Sequence, residues 1–371
     1  MTDIEVRPTP AKLAPVELKP HSTASGSQLP SLTKLRWVAA LLVFLYHARN
    51  LGLFGTRDHR LADWAFGAGS TGVSLFFVLS GFVIAWSARP GDRAGAFWLR
   101  RLARIYPLHL VTALAALLLA LAAAPGLRLP APREALANLL LLSAWKHDWW
   151  QALNPVSWSL TCEAFFYAAF PLAYAGLRRL GRRGLETAVA GSLIIVVIIA
   201  WLAAHHSLPV SQYEFPATRF PEFLAGVAAG ILARRGLWRG PAVAPASVLT
   251  TVGYFLTAHV PTPYTVAACT IVGSTLLIPA LAVADQSAPP PGRKTIGERL
   301  GEASYAFYLT HLLVLWCVVG LSGNHLPTDP GWAPWRLLCT LAASVTLALL
   351  LHLYVEVPAR RFLLRHAQGR S

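Results

Sequence analysis

The stretch Leu32–Asn50, LTKLRWVAALLVFLYHARN, is apolar enough to cross a bilayer, yet it holds Arg36 near one end and His47 near the other. Eleven residues separate the two. At about 100° per residue that is close to three full turns, so both side chains leave roughly the same helix face, about 16 Å apart along the axis. A cation and an imidazole on one face of an apolar helix are costly to hold in lipid. They imply a face turned toward a protein interior, a cavity or a substrate path. A plainer reading sends Arg36 to lipid phosphates and leaves His47 as an interfacial histidine. Other polar groups buried at matching depths favour the first.

The rest of the chain shares this character. Of its 371 residues 55% are hydrophobic and 13% charged, where a soluble domain carries about 25% charge. Runs of roughly 20 apolar residues recur, so the expected fold is all-α, a polytopic membrane helix bundle. Ten spans are predicted, at about 32–52, 70–87, 102–124, 156–176, 187–205, 217–233, 245–259, 264–284, 302–321 and 335–356. The stretch Leu136–Trp145 is too short to span and reads as a re-entrant or interfacial helix, with Trp145, Trp149 and Trp150 suited to an interface belt. Residues 1–31, rich in Pro and Ser, read as a disordered cytoplasmic tail. Residues 32–362 form the membrane body and 363–371 a short cytoplasmic tail. No cleavable signal peptide is expected, because the first apolar run starts late and is long enough to span.

Charge supplies the topology. Basic clusters at Arg89/Arg93/Arg100/Arg101/Arg104, Arg178/Arg179/Arg182/Arg183, Arg234/Arg235/Arg239, Arg293/Lys294/Arg299 and Arg360/Arg361/Arg365/Arg370 follow every second predicted span. With the basic residues up to Arg36 they hold most of the 32 lysines and arginines. By the positive-inside rule both termini are cytoplasmic and the number of spans is even. The net charge of +15 is thus topology. It lacks the aromatic-lined basic face that nucleic-acid binding needs, so no nucleic-acid partner is expected. Cys162, Cys269, Cys317 and Cys339 all lie in apolar stretches without a CxxC, which suggests buried thiols and no metal site.

Four polar constellations could carry chemistry. The first is Arg36 with His47. The second is Phe97–His109, FWLRRLARIYPLH, where Arg101 and Arg104 are three apart on one face and can grip a phosphate or pyrophosphate with Arg100 beside them. Asn154–Pro171, NPVSWSLTCEAFFYAAFP, places Glu163 in an apolar run. That carboxylate must be protonated, paired or in a wet cavity. Trp158, Ser159 and Tyr167 offer it hydrogen-bonding neighbours fit for a polyol. In Ala303–His311, ASYAFYLTH, the residues Ser304, Tyr308 and His311 share one helix face. Each motif also has a structural reading: positive-inside charge, an arginine's partner, or helix–helix hydrogen bonding.

Taken together the segments resemble the integral-membrane acyltransferase family 3, which acylates sugars and other hydroxyl-bearing acceptors. The matches are LRWVAALLVFLYHARN, TGVSLFFVLSGFVI, FWLRRLARIYPLH, WSLTCEAFFY, SYAFYLTH and VEVPARRF, in that order along about 32–362. The family's first-helix arginine and histidine fall on Arg36 and His47, and its R-x-x-R on Arg101 and Arg104. Its W-S-L-x-x-E falls on Trp158, Ser159 and Glu163, and its S-Y-x-x-Y-L-x-H on Ser304, Tyr305, Tyr308 and His311. The chain departs from the commoner double-acid version, since Ala164 follows Glu163. That puts any scheme with two adjacent carboxylates in doubt here.

The resemblance implies a multi-pass enzyme of a bacterial inner membrane, in contact with membrane lipid. It takes acyl-CoA, acetyl-CoA foremost, as co-substrate, with no tightly bound cofactor. His47 and Glu163 would be catalytic; Arg36, Arg100, Arg101, Arg104, Trp158, Ser159, Ser304, Tyr308 and His311 would bind donor or acceptor. His47 would act as general base on the acceptor hydroxyl or carry the acyl group transiently. Glu163 would orient His47 or the acceptor, and Arg36 would bind donor or stabilise developing charge. The acceptor is a sugar of a surface polysaccharide or glycolipid, or else a small glycosylated metabolite. A different class, a transporter or flippase for a sugar or lipid-linked sugar, would use the same buried charges as a path, but no inverted repeat is visible.

Overall fold

The computed structural model describes residues 29–55, 59–89, 91–122, 126–206, 208–288, 292–322 and 332–368. Most of the expected N-terminal tail lies outside them. Every regular element among the described residues is helical. The first half holds α1 (Pro30–Asn50), α2 (His59–Phe66), α3 (Gly72–Ser87), α4 (Ala94–Leu121), α5 (Pro132–Leu139), α6 (Trp158–Leu177) and α7 (Arg182–His205). The second half holds α8 (Pro216–Arg234), α9 (Val243–Leu256), α10 (Thr262–Thr265), α11 (Ile271–Ser287), α12 (Ile296–Glu302), α13 (Ser304–Leu321), α14 (Ala333–Leu351) and α15 (Val357–Gln368). Each of the ten predicted spans overlaps one of these helices.

Among the described residues six helical stretches are long and apolar enough to cross a membrane: Arg60–Ser87, Ala94–Leu121, Pro155–Leu177, Arg182–His205, Ser304–Leu321 and Ala333–His366. The other four predicted spans differ for physical reasons. Helix α1 carries Lys34, Arg36 and Arg49, and α8 carries Arg219, Glu222 and Arg234, while α9 and α11 have only 14 and 17 residues. Large apolar side chains stand exposed on the outer helices, among them Ile194 and Ile198 on α7 and Leu338 and Leu350 on α14. Such faces suit lipid and would be a liability in water.

Helix α1 sits inside the bundle. It packs against α3, α11, α12 and α13, and Ala39, Ala40, Phe44 and Ala48 on it have no exposed surface. Close approach is built from small residues, as expected where lipid gives no hydrophobic drive between helices. A Cβ at Gly301 would lie 2.0 Å from the Thr33 carbonyl oxygen. The tightest seam is α3 against α8: a Cβ at Gly226 would lie 2.0 Å from the Val78 carbonyl oxygen, and one at Gly81 2.1 Å from that of Phe223.

Two local expectations are refined. The short segment after α4 is helical only over Pro132–Leu139 and then breaks into 3-10 turns. Among the cysteines only Cys162 is buried. Cys269 and Cys317 are half-buried and Cys339 is exposed on α14, because that helix turns most of its surface outward. The last long helix holds a π-turn, His352–Glu356. Its extra residue turns Glu356 inward, where His352 Nδ1 lies 2.9 Å from the carboxylate.

Candidate active site

Three cavities lie in series through the bundle. The middle one, with an empty volume of about 840 Å³, is lined by Arg36 from α1, Arg101 and Arg104 from α4, Ser159 and Glu163 from α6, and Ser304 and Tyr308 from α13. Tyr167, one turn beyond Glu163, donates its hydroxyl to Glu163 Oε2 at 2.7 Å. The carboxylate also interacts electrostatically with Arg104, Arg36 and Arg101, and Arg36 has Glu356 as a second acidic neighbour. The Nε–H of Arg101 is buried without a partner, and its guanidinium lies 5.4 Å from the Phe97 ring centre. Three guanidiniums around one lining carboxylate leave an excess of positive charge in an apolar body. That excess favours an anionic ligand or a developing oxyanion.

The second cavity opens where the basic loops converge. It has an empty volume of about 1560 Å³, and Arg89, Arg93, Arg100, Arg101, Arg178, Arg234 and Arg360 line it. Arg100 pairs with Asp92. Arg234 donates to carbonyls at the C-terminal end of α3, Ala85 within it and Ala88 just beyond. Arg101 and Ile84 line this bowl and the middle cavity alike.

The third cavity, about 900 Å³ of empty volume, lies at the far end of α1. His47, Tyr46, Trp150, Trp158, Tyr213 and Trp316 form its walls, and Val73 and Tyr308 separate it from the middle cavity while lining both. His47 Nδ1 lies 3.0 Å from the Val43 carbonyl oxygen and 3.1 Å from His311 Nε2. The aromatic walls are held from beneath by a buried ion pair. Arg219 Nε lies 2.7 Å from Glu222 Oε1, and Nη2 donates to Ser74 Oγ at 2.8 Å. Its guanidinium lies 5.0 Å from the Phe77 ring centre, 5.8 Å from that of Trp158 and 6.0 Å from that of Tyr213.

A sequence model described as an acyltransferase domain matches residues 29–353, which contain every lining residue of the three cavities except Arg360. The chain belongs to the integral-membrane acyltransferase family 3. It is similar to acyltransferase MdmB of Streptomyces mycarofaciens, 38% identical over 358 residues that cover 91% of this chain and 92% of that protein. Nodulation protein 10 of Rhizobium leguminosarum bv. viciae is 26% identical over 92% of this chain and 96% of its own length. O-acetyltransferase OatA of Staphylococcus aureus is 30% identical over 204 residues, 49% of this chain and 32% of that protein. No solved structure matches. The chain is therefore an O-acyltransferase and an integral membrane protein.

Within this acyltransferase the sequence-predicted residues divide among the cavities. Arg36, Arg101, Arg104, Ser159, Glu163 and Ser304 meet in the middle one, where the Ser304 hydroxyl donates to the Gly301 carbonyl at 2.7 Å. Tyr308 stands at the junction, its hydroxyl donating to the Val156 carbonyl at 3.2 Å. Arg100 belongs to the bowl alone. Trp158 does not flank Glu163; it lines the third cavity. The expectation that Glu163 orients His47 is corrected likewise. Glu163 is five residues inside α6, about 7.5 Å deeper than the vestibule end of that helix, and the nitrogen beside His47 is that of His311.

Sequence reasoning missed several residues around these cavities. Arg89, Arg93, Arg178, Arg234 and Arg360 are each explained by topology alone, so their convergence on one bowl was invisible. Arg219 and Glu222 did carry a signal, opposite charges three apart inside an apolar run, by the same logic that singled out Glu163. Trp150, expected in an interface belt, instead packs edge-on to Trp158 at 6.3 Å and Tyr213 at 5.9 Å. Near the same mouth, His147 Nδ1 lies 2.5 Å from the buried Glu214 carboxylate. That hydrogen bond, and the negative charge with it, raises the pKa of His147 above the ordinary histidine value.

Proposed function

We propose that this acyltransferase moves an acyl group, most simply acetyl, from cytoplasmic acyl-CoA to a sugar hydroxyl of a surface polysaccharide or glycolipid. The observation that carries this reading is the series of three cavities. Arg101 and Ile84 are shared at one junction and Val73 and Tyr308 at the other. The full reading has ten spans, both termini in the cytoplasm and the protein in a bacterial inner membrane. The arginine bowl then opens to the cytoplasm and takes the phosphates of the donor. The thioester arm threads the middle cavity past Arg36 and Arg104, with its carbonyl at the Tyr308 junction that opens on the vestibule. The acceptor enters the aromatic vestibule, where Trp and Tyr faces suit sugar rings and His47 meets the hydroxyl.

The chemistry follows from those positions. His47 takes the proton from the acceptor hydroxyl as its oxygen bonds to the acyl carbonyl carbon. The carbon–sulfur bond breaks, and the leaving thiolate recovers that proton. Tyr308 stands where negative charge develops on the carbonyl oxygen, while Arg36 and Arg104 hold the donor arm and Glu163, held by Tyr167, keeps the guanidiniums in place. The aromatic lining of the vestibule also suits a compact ligand, so a small glycosylated metabolite is the second reading.

The test uses membrane vesicles containing the protein, supplied with acetyl-CoA labelled in the acetyl group. Labelled, hydroxylamine-sensitive ester on carbohydrate is the expected result, abolished by His47→Ala. A well-expressed His47→Ala protein with near-wild-type transfer overturns the assignment. Release of label from a small product in place of cell-envelope glycan selects the second reading.

A further inference from the structure

His47 on α1 and His311 on α13 bring their rings to 5.1 Å between centres, with His311 Nε2 3.1 Å from His47 Nδ1. Two nitrogens in contact need one proton between them, and the backbone decides where it lies. His311 Nδ1 is 2.7 Å from the Tyr308 carbonyl oxygen and 3.2 Å from that of Phe307. Carbonyls only accept, so Nδ1 of His311 carries a proton, and in a neutral imidazole Nε2 is then an acceptor.

The same reasoning applies to the other ring. His47 Nδ1 has the Val43 carbonyl 3.0 Å away as well as His311 Nε2. A lone pair on His47 Nδ1 would face the lone pairs of Val43, so this nitrogen also carries a proton, shared between two acceptors. Neutral His47 is left with an unprotonated Nε2, on the ring edge turned away from both partners. The surroundings fix the pair in place. His311 has no exposed surface, Phe307 stacks on it at 5.9 Å and 19°, and Phe44 meets it edge-on at 6.4 Å.

The geometry points to His311 as a positioning residue: its Nε2 accepts from His47 Nδ1 and so holds His47 in the tautomer whose Nε2 can take a proton from the acceptor hydroxyl. This rests on the base role given to His47 above and departs from the ligand-binding role the sequence suggested for His311. In the transfer step the proton moves from the acceptor oxygen to His47 Nε2 and on to the leaving thiolate of the acyl thioester. His311 gains and loses none. It keeps its hydrogen bond to His47 throughout and orients the imidazolium while that lasts, the part a carboxylate plays in serine hydrolases.

The experiment has two arms. Protein labelled with 15N-histidine in lipid nanodiscs, its His47 signals assigned by difference against His47→Asn, reports the tautomer without any substrate. The expected spectrum shows His47 protonated at Nδ1 and bare at Nε2 in the wild type, and that preference weakens in His311→Leu, where the Val43 carbonyl is the remaining acceptor. In turnover, His311→Leu lowers kcat by roughly 10²-fold or more with KM for both substrates within about twofold. His311→Gln, whose side-chain oxygen can accept at the Nε2 position, recovers at least about tenfold of the loss. A His47 protonated at Nε2, or equal losses in the Leu and Gln variants, overturns the proposal. A protein inactive with acyl-CoA that still shows the Nδ1-protonated His47 overturns the donor assignment and supports the positioning role.

Discussion

Tyr167 donates its hydroxyl to Glu163 at 2.7 Å, one turn along the same helix and inside a cavity that also holds Arg36, Arg101 and Arg104. A tyrosine hydroxyl is a fixed donor here. It holds one carboxylate oxygen and leaves the other to the guanidiniums. Glu163→Gln keeps the shape and removes the charge, so the three arginines lose their lining counter-charge. Its kcat is expected to fall on the order of 10²-fold, the size of effect that follows when the reacting arm is held out of place. Tyr167→Phe removes one hydrogen bond, about 1 kcal/mol, and is expected to cost only about fivefold. Steady-state acyl transfer by the purified variants measures both, and a larger loss in Tyr167→Phe than in Glu163→Gln would reverse the roles.

The arginine-lined bowl, proposed to take the donor's phosphates, makes a separate prediction. Arg93 and Arg178 come from loops far apart in sequence and line the same space. As phosphate contacts they serve binding and not the chemical step. Arg93→Ala and Arg178→Ala are each expected to raise KM for acyl-CoA about three- to tenfold, with kcat and the acceptor KM little changed. The effect should shrink as ionic strength rises, because exposed charges are screened within about 8 Å at physiological salt. Donor titrations at low and high salt check this. Unchanged KM in both variants would leave those arginines to topology alone.

These two regions mark how far the sequence could be read. A carboxylate or guanidinium within an apolar run is rare enough to flag itself, and so Arg36, Arg101, Arg104 and Glu163 were legible one by one. Their meeting in one cavity was foreshadowed only by matching depth. Depth misled for Glu163 and His47, because one residue counted along α6 and another along α1 share no common origin until the helices are packed. The bowl was illegible for another reason. Arg89, Arg178, Arg234 and Arg360 are what the positive-inside rule places there anyway, so no single one carried surplus information. The long helices were legible, since apolar length is a property of the chain, whereas α2, α12 and α15 were not. The α3–α8 seam was half-legible, as the small residues Gly226 and Gly230 four apart on α8.

That seam gives the third prediction. Gly226→Ala would set a methyl 2.0 Å from the Val78 carbonyl oxygen, a backbone atom that cannot swing aside. Helices α3 and α8 must then separate, and α3 carries Val73, which lines both the middle cavity and the vestibule. A loss of at least about 1–3 kcal/mol is expected, the range for overpacking, read as a lower unfolding temperature in detergent. Gly176→Ala on α6, where an added Cβ meets nothing within 4 Å, is the control and should be neutral or slightly stabilising. Equal unfolding temperatures for the two variants would mean that the seam opens without cost.

The last prediction concerns pH at the vestibule mouth. His147 lies in a 3-10 turn between α5 and α6, and its hydrogen bond to Glu214 raises its pKa above the histidine norm. A group whose pKa is higher folded than unfolded contributes stability that is fully present below its unfolded value, about 6.5 for histidine. That contribution is lost as pH climbs through the raised folded value. Wild type should therefore exceed His147→Ala in unfolding temperature most at pH near 5.5, with the gap closing steadily under alkaline conditions. The Glu214 carboxylate also accepts from the Ser211 hydroxyl, so it keeps one partner in the variant and the effect stays specific to the histidine. Because most of the His147 side chain is exposed, at 73%, water screens the pair and the gap should be small. Its pH dependence is the decisive reading. A gap that stays constant or widens between pH 6 and 9 would assign the loss to packing at the turn and not to the charged pair.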